Sequence, residues 1–283
     1  MNIFNYREIA TGIWLIIILI FILLKIKTSI KGLIKSFLHY KILIPIFLML
    51  LYISAIIYIL FLVNFWDLYL LKDSIIWVFL IGFLIFFKYS TLDKYENFLK
   101  KIFLDNIKLI IIFEFIVNIY TFPLYIEIIL VPLISFIVLL DVVASYSSKY
   151  IIVSKILDII QIIIGLSVLS YSIYKIVLDF KNFATLNTLK DFLLAPILTL
   201  SIIPFIYCFI LYINYENIFK RLDLGVKKDK KLKKYAKKQI IKYCSLKISK
   251  VKKILSSKAN ELMRISNEKD VDFLIEILKS QDN

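Results

Sequence analysis

Long stretches without a single charge alternate with lysine-bearing intervals over the first three quarters of the chain. Ile42 to Val63 carries no charged residue, and neither does Phe192 to Ile213. A helix needs about 20 apolar residues to cross a hydrocarbon core of about 30 Å, and both runs meet that length. The runs are apolar on both parities, whereas membrane barrel strands alternate polar and apolar residues. The richness in isoleucine therefore marks helices, which satisfy their own backbone groups in lipid. The crossings predicted are 9–24, 42–63, 70–87, 109–122, 124–144, 156–174 and 192–213. The expected fold class is all-α: a polytopic membrane helix bundle of about seven transmembrane helices with a basic helical cytoplasmic tail.

Two places in that pattern carry information of their own. Residues 109–144 hold no lysine or arginine, so either one long tilted helix or two crossings would fit. Thr121-Phe122-Pro123 is the natural turn for two, because proline disfavours helix at the residue before it. In the interval 88–108, Leu92, Tyr95, Leu99, Ile102 and Phe103 fall on one helical face. Such a helix suits either the membrane interface or an ordinary amphipathic connector.

After Ile213 the composition changes. The expected division is a transmembrane domain, 1–213, and a basic helical domain, 214–283. Thirteen lysines crowd residues 227–253. Apolar residues still recur there at helical spacing: Ile240, Tyr243, Ile248, Val251, Ile254 and Leu255. A last helix is predicted with Ser266 or Asn267 as its cap and Val271, Leu274, Ile275 and Leu278 as its apolar stripe.

Composition agrees with this picture. Of 283 residues, 61% are hydrophobic, against the 45–50% of an ordinary soluble domain. Net charge is +15, and the loop lysines are one-sided. The intervals 25–41, 88–108 and 145–155 are rich in lysine, whereas the opposite side holds only Arg7, Lys72, Lys175, Lys181 and Lys190. The positive-inside rule then places the N-terminus outside and the C-terminus in the cytoplasm of a bacterial inner membrane. The first run lacks a small-residue cleavage site and reads as a retained helix. Trp14, Trp66 and Trp77 suit interfacial aromatic belts.

Candidate chemistry is sparse. The single histidine, His39, and the two cysteines, Cys208 and Cys244, form no metal-type spacing, and no phosphate loop or nucleophile motif is present. No enzyme and no cofactor are expected. Ionisable groups inside crossings mark function by default. Glu114, with Asn118 one turn on, Glu127, and the pair Asp158 and Gln161 are the candidates for a pore or a polar membrane seam. A structural role, such as a neutral Glu114 bonded to a neighbouring helix or an interfacial Asp158, competes with that reading. In the tail, Lys230, Lys231, Lys233, Lys234, Lys237, Lys238 and Lys242 are the candidate polyanion site, with Tyr235 and Tyr243 able to stack on bases. Three partners suit it: anionic lipid, a single-stranded nucleic acid or nucleotide ligand, or a protein.

Tyr6-Arg7-Glu8-Ile9-Ala10-Thr11-Gly12-Ile13-Trp14 at the start, and Pro204-Phe205-Ile206-Tyr207 followed by Tyr215-Glu216 where the last crossing meets the tail, are the residues of a resemblance. The layout resembles bacterial membrane effectors of anti-phage defence of the Hailong type. That resemblance implies a homo-oligomeric ion channel whose partner nucleotidyltransferase makes short single-stranded DNA oligomers that hold it shut. The expected function is thus an oligomeric ion channel or pore, a defence effector gated through its basic tail by nucleic-acid oligomers. An ion- or proton-coupled transporter, a membrane-embedded enzyme subunit, and a scaffold anchoring a cytosolic partner remain the alternatives.

Overall fold

The computed structural model of the chain describes residues 4–25, 32, 39–90, 115–226, 229–257 and 261–280. Regular secondary structure among them is helical throughout. Helix α1 is Tyr6–Lys25, α2 Tyr40–Leu62, α3 Leu71–Trp77 and α4 Phe83–Ser90, the last two joined by a π-helical turn, Val78–Gly82. Then follow α5 Leu124–Ser145, α6 Ile151–Leu178, α7 Leu186–Ser201 and α8 Ile203–Gly225. The tail forms α9 Lys230–Cys244, α10 Ile248–Ser257 and α11 Glu268–Ser280.

Six helical stretches among the described residues are long and apolar enough to cross a membrane. The protein is a multi-pass membrane helix bundle. The predicted crossing 109–122 falls mostly outside the described residues; 115–119 is helical, 120–123 is not, and α5 starts at Leu124. The amphipathic pattern at 92–103 lies outside them altogether.

Contacts divide the chain into two units, 1–75 with 104–197 and 76–103 with 198–283. That division differs from the change of composition at 213. The uncharged run ends at 213, but α8 runs through that point without a break.

In the first unit, α5 and α6 form a hairpin, and α1 packs on α5. Aromatic contacts help to join the segments: Phe115 meets Phe192 edge-on at 4.9 Å, and Phe122 stacks on Tyr171 at 4.2 Å. In the second unit, the π-helical turn brings Gly82 against the Trp77 ring, 3.3 Å from where a Cβ would stand. Trp77 is 3% exposed and donates to Thr199 Oγ1 at 3.0 Å. Trp66, in the first unit, is 7% exposed and donates to Ser74 Oγ at 2.9 Å. Both indoles are turned into the protein, so neither ring is presented to lipid headgroups as an exposed belt residue would be. A buried indole N–H needs a partner, and hydroxyls on nearby helical turns supply it.

The tail packs on the C-terminal half of α8. Ile218 and Leu222 are fully buried, as are Val251 and Ile254 of α10 and Leu262. Gly225 ends α8 because nothing larger fits: a Cβ there would lie 2.6 Å from the Met263 carbonyl oxygen. Helix α9 starts at Asp229, whose carboxylate accepts from the backbone N–H of Lys231 and Leu232. Helix α11 starts with a reciprocal cap: Asp270 N–H donates to Asn267 Oδ1, and Asn267 N–H donates to Asp270 Oδ2. Its stripe Val271, Leu274, Ile275 and Leu278 is buried.

Candidate functional site

Three polar regions are built on these helices. The first is a cap at one end of the first unit. Asn5 and Glu8 close the start of α1 reciprocally, each backbone N–H donating to the other's side chain at 2.8 Å. This directs Arg7 toward the start of α5. Its Nη2 and Nε donate to the two carboxylate oxygens of Glu127 at 2.9 and 3.1 Å, and its Nη1 donates to Val117 O at 3.0 Å. Glu127 is fully buried and also accepts from Phe122 N–H at 3.0 Å. A carboxylate in the first turn of a helix also meets the positive end of the helix dipole.

The same end gathers several other helix termini of the unit. Lys72 Nζ pairs with Glu8 at 3.1 Å and Asp73 at 3.3 Å, and Lys190 pairs with Asp67 at 2.7 Å. Tyr120 Oη donates to Asp179 at 2.9 Å, and Ser172 Oγ donates to Tyr120 O at 3.0 Å. Asp191 keeps one buried oxygen without a hydrogen bond among the described residues. The start of α1, the α2–α3 connection, the start of α5, the end of α6 and the start of α7 therefore all meet at one end.

Glu127 is thus a tied group at a helix end and faces no open path. Asn118 has an exposed side chain, and its carbonyl accepts from Asn5 Nδ2 at 3.3 Å. Glu114 lies outside the described residues.

The second region belongs to the α5–α6 hairpin, near its connecting turn. Ser154 Oγ donates to Asp141 Oδ1 at 2.6 Å, and Gln161 Nε2 donates to Asp141 Oδ2 at 3.3 Å. Both oxygens of Asp141 are occupied. Asp158 sits on the neighbouring flank of α6, exposed, with no hydrogen bond or ion pair among the described residues. Gly165, two turns further along that flank, has open space where a Cβ would stand. Structure brings Gln161 together with Asp141 and leaves Asp158 outside the pair.

The third region is the basic face of the tail. Lys233 and Lys237 turn toward α8, each 3.4 Å from Asp223, and Lys237 also covers the Phe219 ring at 5.1 Å. Lys230, Lys231, Lys234, Lys238 and Lys242 are exposed. Tyr235 Oη donates to Asp272 at 2.8 Å. That bond, with the Asp272 charge nearby, holds the phenol above its ordinary pKa. Tyr243 is buried in the tail core, 7% exposed, and its Oη donates to Leu278 O at 3.2 Å. Its place on the apolar side of α9 leaves it no ring face for a base.

Sequence reasoning passed over Arg7, Asp141 and Asp191. Arg7 and Glu127 are 120 residues apart, and nothing local links them. Asp141 did have a signal, an acid within a predicted crossing. Among the described residues no group of three His, Cys, Asp or Glu side chains could hold a metal ion. Comparison with family models, curated proteins and solved structures finds no match for this chain.

Proposed function

We propose that the chain is the subunit of a homo-oligomeric ion channel or pore in the bacterial inner membrane, with its N-terminus outside and its tail in the cytoplasm. The supporting observation is Asp158. It begins the third turn of a 28-residue helix about 42 Å long, well over the core thickness. Its side chain is exposed on a flank that it shares with Lys155 one turn before it and with Ile162 and Gly165 after it. A carboxylate held against lipid is strongly unfavourable, so water or another copy of the chain covers that flank. The adjoining Asp141–Ser154–Gln161 seam makes a second carboxylate available to the same region. One-sided loop lysines support the orientation. The resemblance to anti-phage effectors supports a gating role for the tail, with short DNA oligomers as the ligand.

The test is reconstitution in planar bilayers under a potassium chloride gradient, with the oligomer's mass measured in parallel. Wild type is expected to be oligomeric and cation-preferring. Asp158→Asn is expected to move the reversal potential toward zero with the mass unchanged. A monomer without conductance overturns the proposal. A conducting oligomer indifferent to Asp158→Asn removes Asp158 from the path.

A further inference from the structure

Helix α9 runs back along α8 in the opposite direction. Asp223 meets Lys233 and Lys237, Phe219 lies under Lys237, Tyr215 Oη donates to Ser245 O at 2.6 Å, and Tyr207 Oη donates to Leu246 O at 2.6 Å. The start of α9 is therefore beside the far end of α8, and its last turn is beside residues 207–215. Those residues are where the uncharged run ends, at Ile213. Tyr207 is six residues before that point, about 9 Å deeper along the helix. Two tyrosine hydroxyls thus hold the α9–α10 turn at the level where the uncharged run of α8 ends.

The surface presented there is mixed. Ile241 is 50% exposed, Leu246 70% and Tyr212 61%. Lys238, Lys242 and Lys247 flank them, exposed and without an acidic partner among the described residues. Ser245 takes a positive φ of 48°, which turns the chain sharply so that Leu246 projects from the end of α9. An open concavity lined by Tyr212, Tyr215, Phe219, Ile241, Lys242, Ser245 and Leu246 continues the surface onto α8.

We propose that this turn is an interfacial foot that seats the tail on the anionic leaflet of its own membrane. Leu246 and Ile241 enter the headgroup–acyl boundary, and Lys238, Lys242 and Lys247 bind lipid phosphates. Apolar side chains ringed by lysine and tyrosine are the combination that favours this depth. Continuity with a membrane-spanning helix fixes the occupant as lipid, because the leaflet is already beside the turn. Lys230, Lys231 and Lys234 lie about three to four turns from that level, and Lys230 and Lys234 share a concavity with Lys238 and Ile241 that continues the basic face away from the membrane. The inference does not depend on channel activity.

Leu246→Cys in a Cys208→Ala background, spin-labelled in the full chain, tests it; Cys244 is fully buried. The label is expected to be more accessible to oxygen than to a water-soluble nickel chelate in bilayers containing phosphatidylglycerol. Replacing Lys238, Lys242 and Lys247 by Gln should move it toward water, as should a purely zwitterionic bilayer. Tryptic resistance of the tail core checks that each variant is folded. A label that is water-accessible in every bilayer overturns the proposal. So does a single-stranded oligonucleotide that withdraws the label from water in zwitterionic bilayers, because the lysines would then be reading nucleic acid. As a check without substitution at the turn, brominated phosphatidylglycerol should quench wild-type tyrosine fluorescence more than brominated phosphatidylcholine, and equal quenching counts against the foot.

Discussion

The capped end of the first unit and the tail core of the second are held together by opposite chemistries. The cap is polar: a forked Arg7–Glu127 pair, three lysine–carboxylate contacts and a tyrosine–aspartate bond. The tail core is apolar, with Ile218, Leu222, Val251, Ile254 and Leu262 all fully buried. Elsewhere the helices of the first unit bury little of themselves. In α1 and α5 only 6% of the most apolar stretch is buried, whereas α11 buries its whole stripe of Val271, Leu274, Ile275 and Leu278. Lipid explains the difference. Two apolar helices gain little by exchanging lipid for each other, so polar contacts and close packing must join them. In water the same exchange is favourable by about 25 cal/mol per Å² of apolar surface. Each region uses the force that its surroundings leave available.

The largest test of that contrast is the cap. Removing one partner of a buried, hydrogen-bonded pair typically costs about 3–5 kcal/mol, because the other charge stays buried alone. Arg7→Ala, which strands the fully buried Glu127, should therefore destabilise the first unit by about that amount, measured by denaturant unfolding in bicelles with Trp14 fluorescence as the probe. Arg7→Met with Glu127→Met should recover much of the loss, since no charge is then stranded. A loss below about 1 kcal/mol, typical of an exposed pair, would show that the cap does not hold the helices.

Sequence and structure part company along the same line. Composition and periodicity located every described crossing, because about 20 apolar residues have few other uses. The stripe of α11 and its Asn267 cap were equally legible, being short-range patterns. Long-range pairing was not. Glu127 is an acid in an apolar run by sequence, and only the fold brings Arg7 to it. Helical spacing puts Asp158 and Gln161 on one face, but Gln161 finds its partner in Asp141 on the other helix of the hairpin, which spacing cannot reveal, and Asp158 stays outside that pair. Tyr243 was read as a stacking group, but the helical face it occupies is the buried one. Tryptophan shows the same limit: Trp66 and Trp77 each have a hydroxyl partner inside the protein that composition does not reveal.

A smaller effect is expected at the tail's tightest contact. Any side chain at Gly225 must displace the Met263 backbone, and overpacking of this kind costs about 1–3 kcal/mol. Gly225→Val should loosen the 261–265 segment from α8 and expose the lysines of α9 and α10 to trypsin. The cap of the first unit should be unaffected, since no residue of it touches this contact. Faster cleavage in α9 with unchanged unfolding of the first unit supports the separation of the two regions. Unaltered cleavage would mean that the tail is not anchored at Gly225.

The smallest expected effect is electrostatic and lies at the start of α11. Asp270 accepts from the backbone N–H of Ser266 and Asn267 at 2.9 and 3.2 Å, and from Ser266 Oγ at 2.8 Å. Those bonds, those from Ser266 foremost, favour the ionised form and hold its pKa below the ordinary value. The sign follows. A carboxylate whose pKa is lower folded than unfolded stabilises the fold above the unfolded value of about 3.9, and the contribution is lost as pH falls through the folded value. Asp270→Asn should therefore lower the thermal midpoint of the tail slightly at pH 7, followed as loss of helical circular dichroism ahead of the membrane helices. The gap from wild type should close as pH falls below the ordinary carboxylate value. Glu268 and Asp272 titrate in both proteins, so the difference between the two curves isolates Asp270. A gap of the same size at pH 7 and at the acid end would assign the effect to the shape of the cap, with no part for its charge.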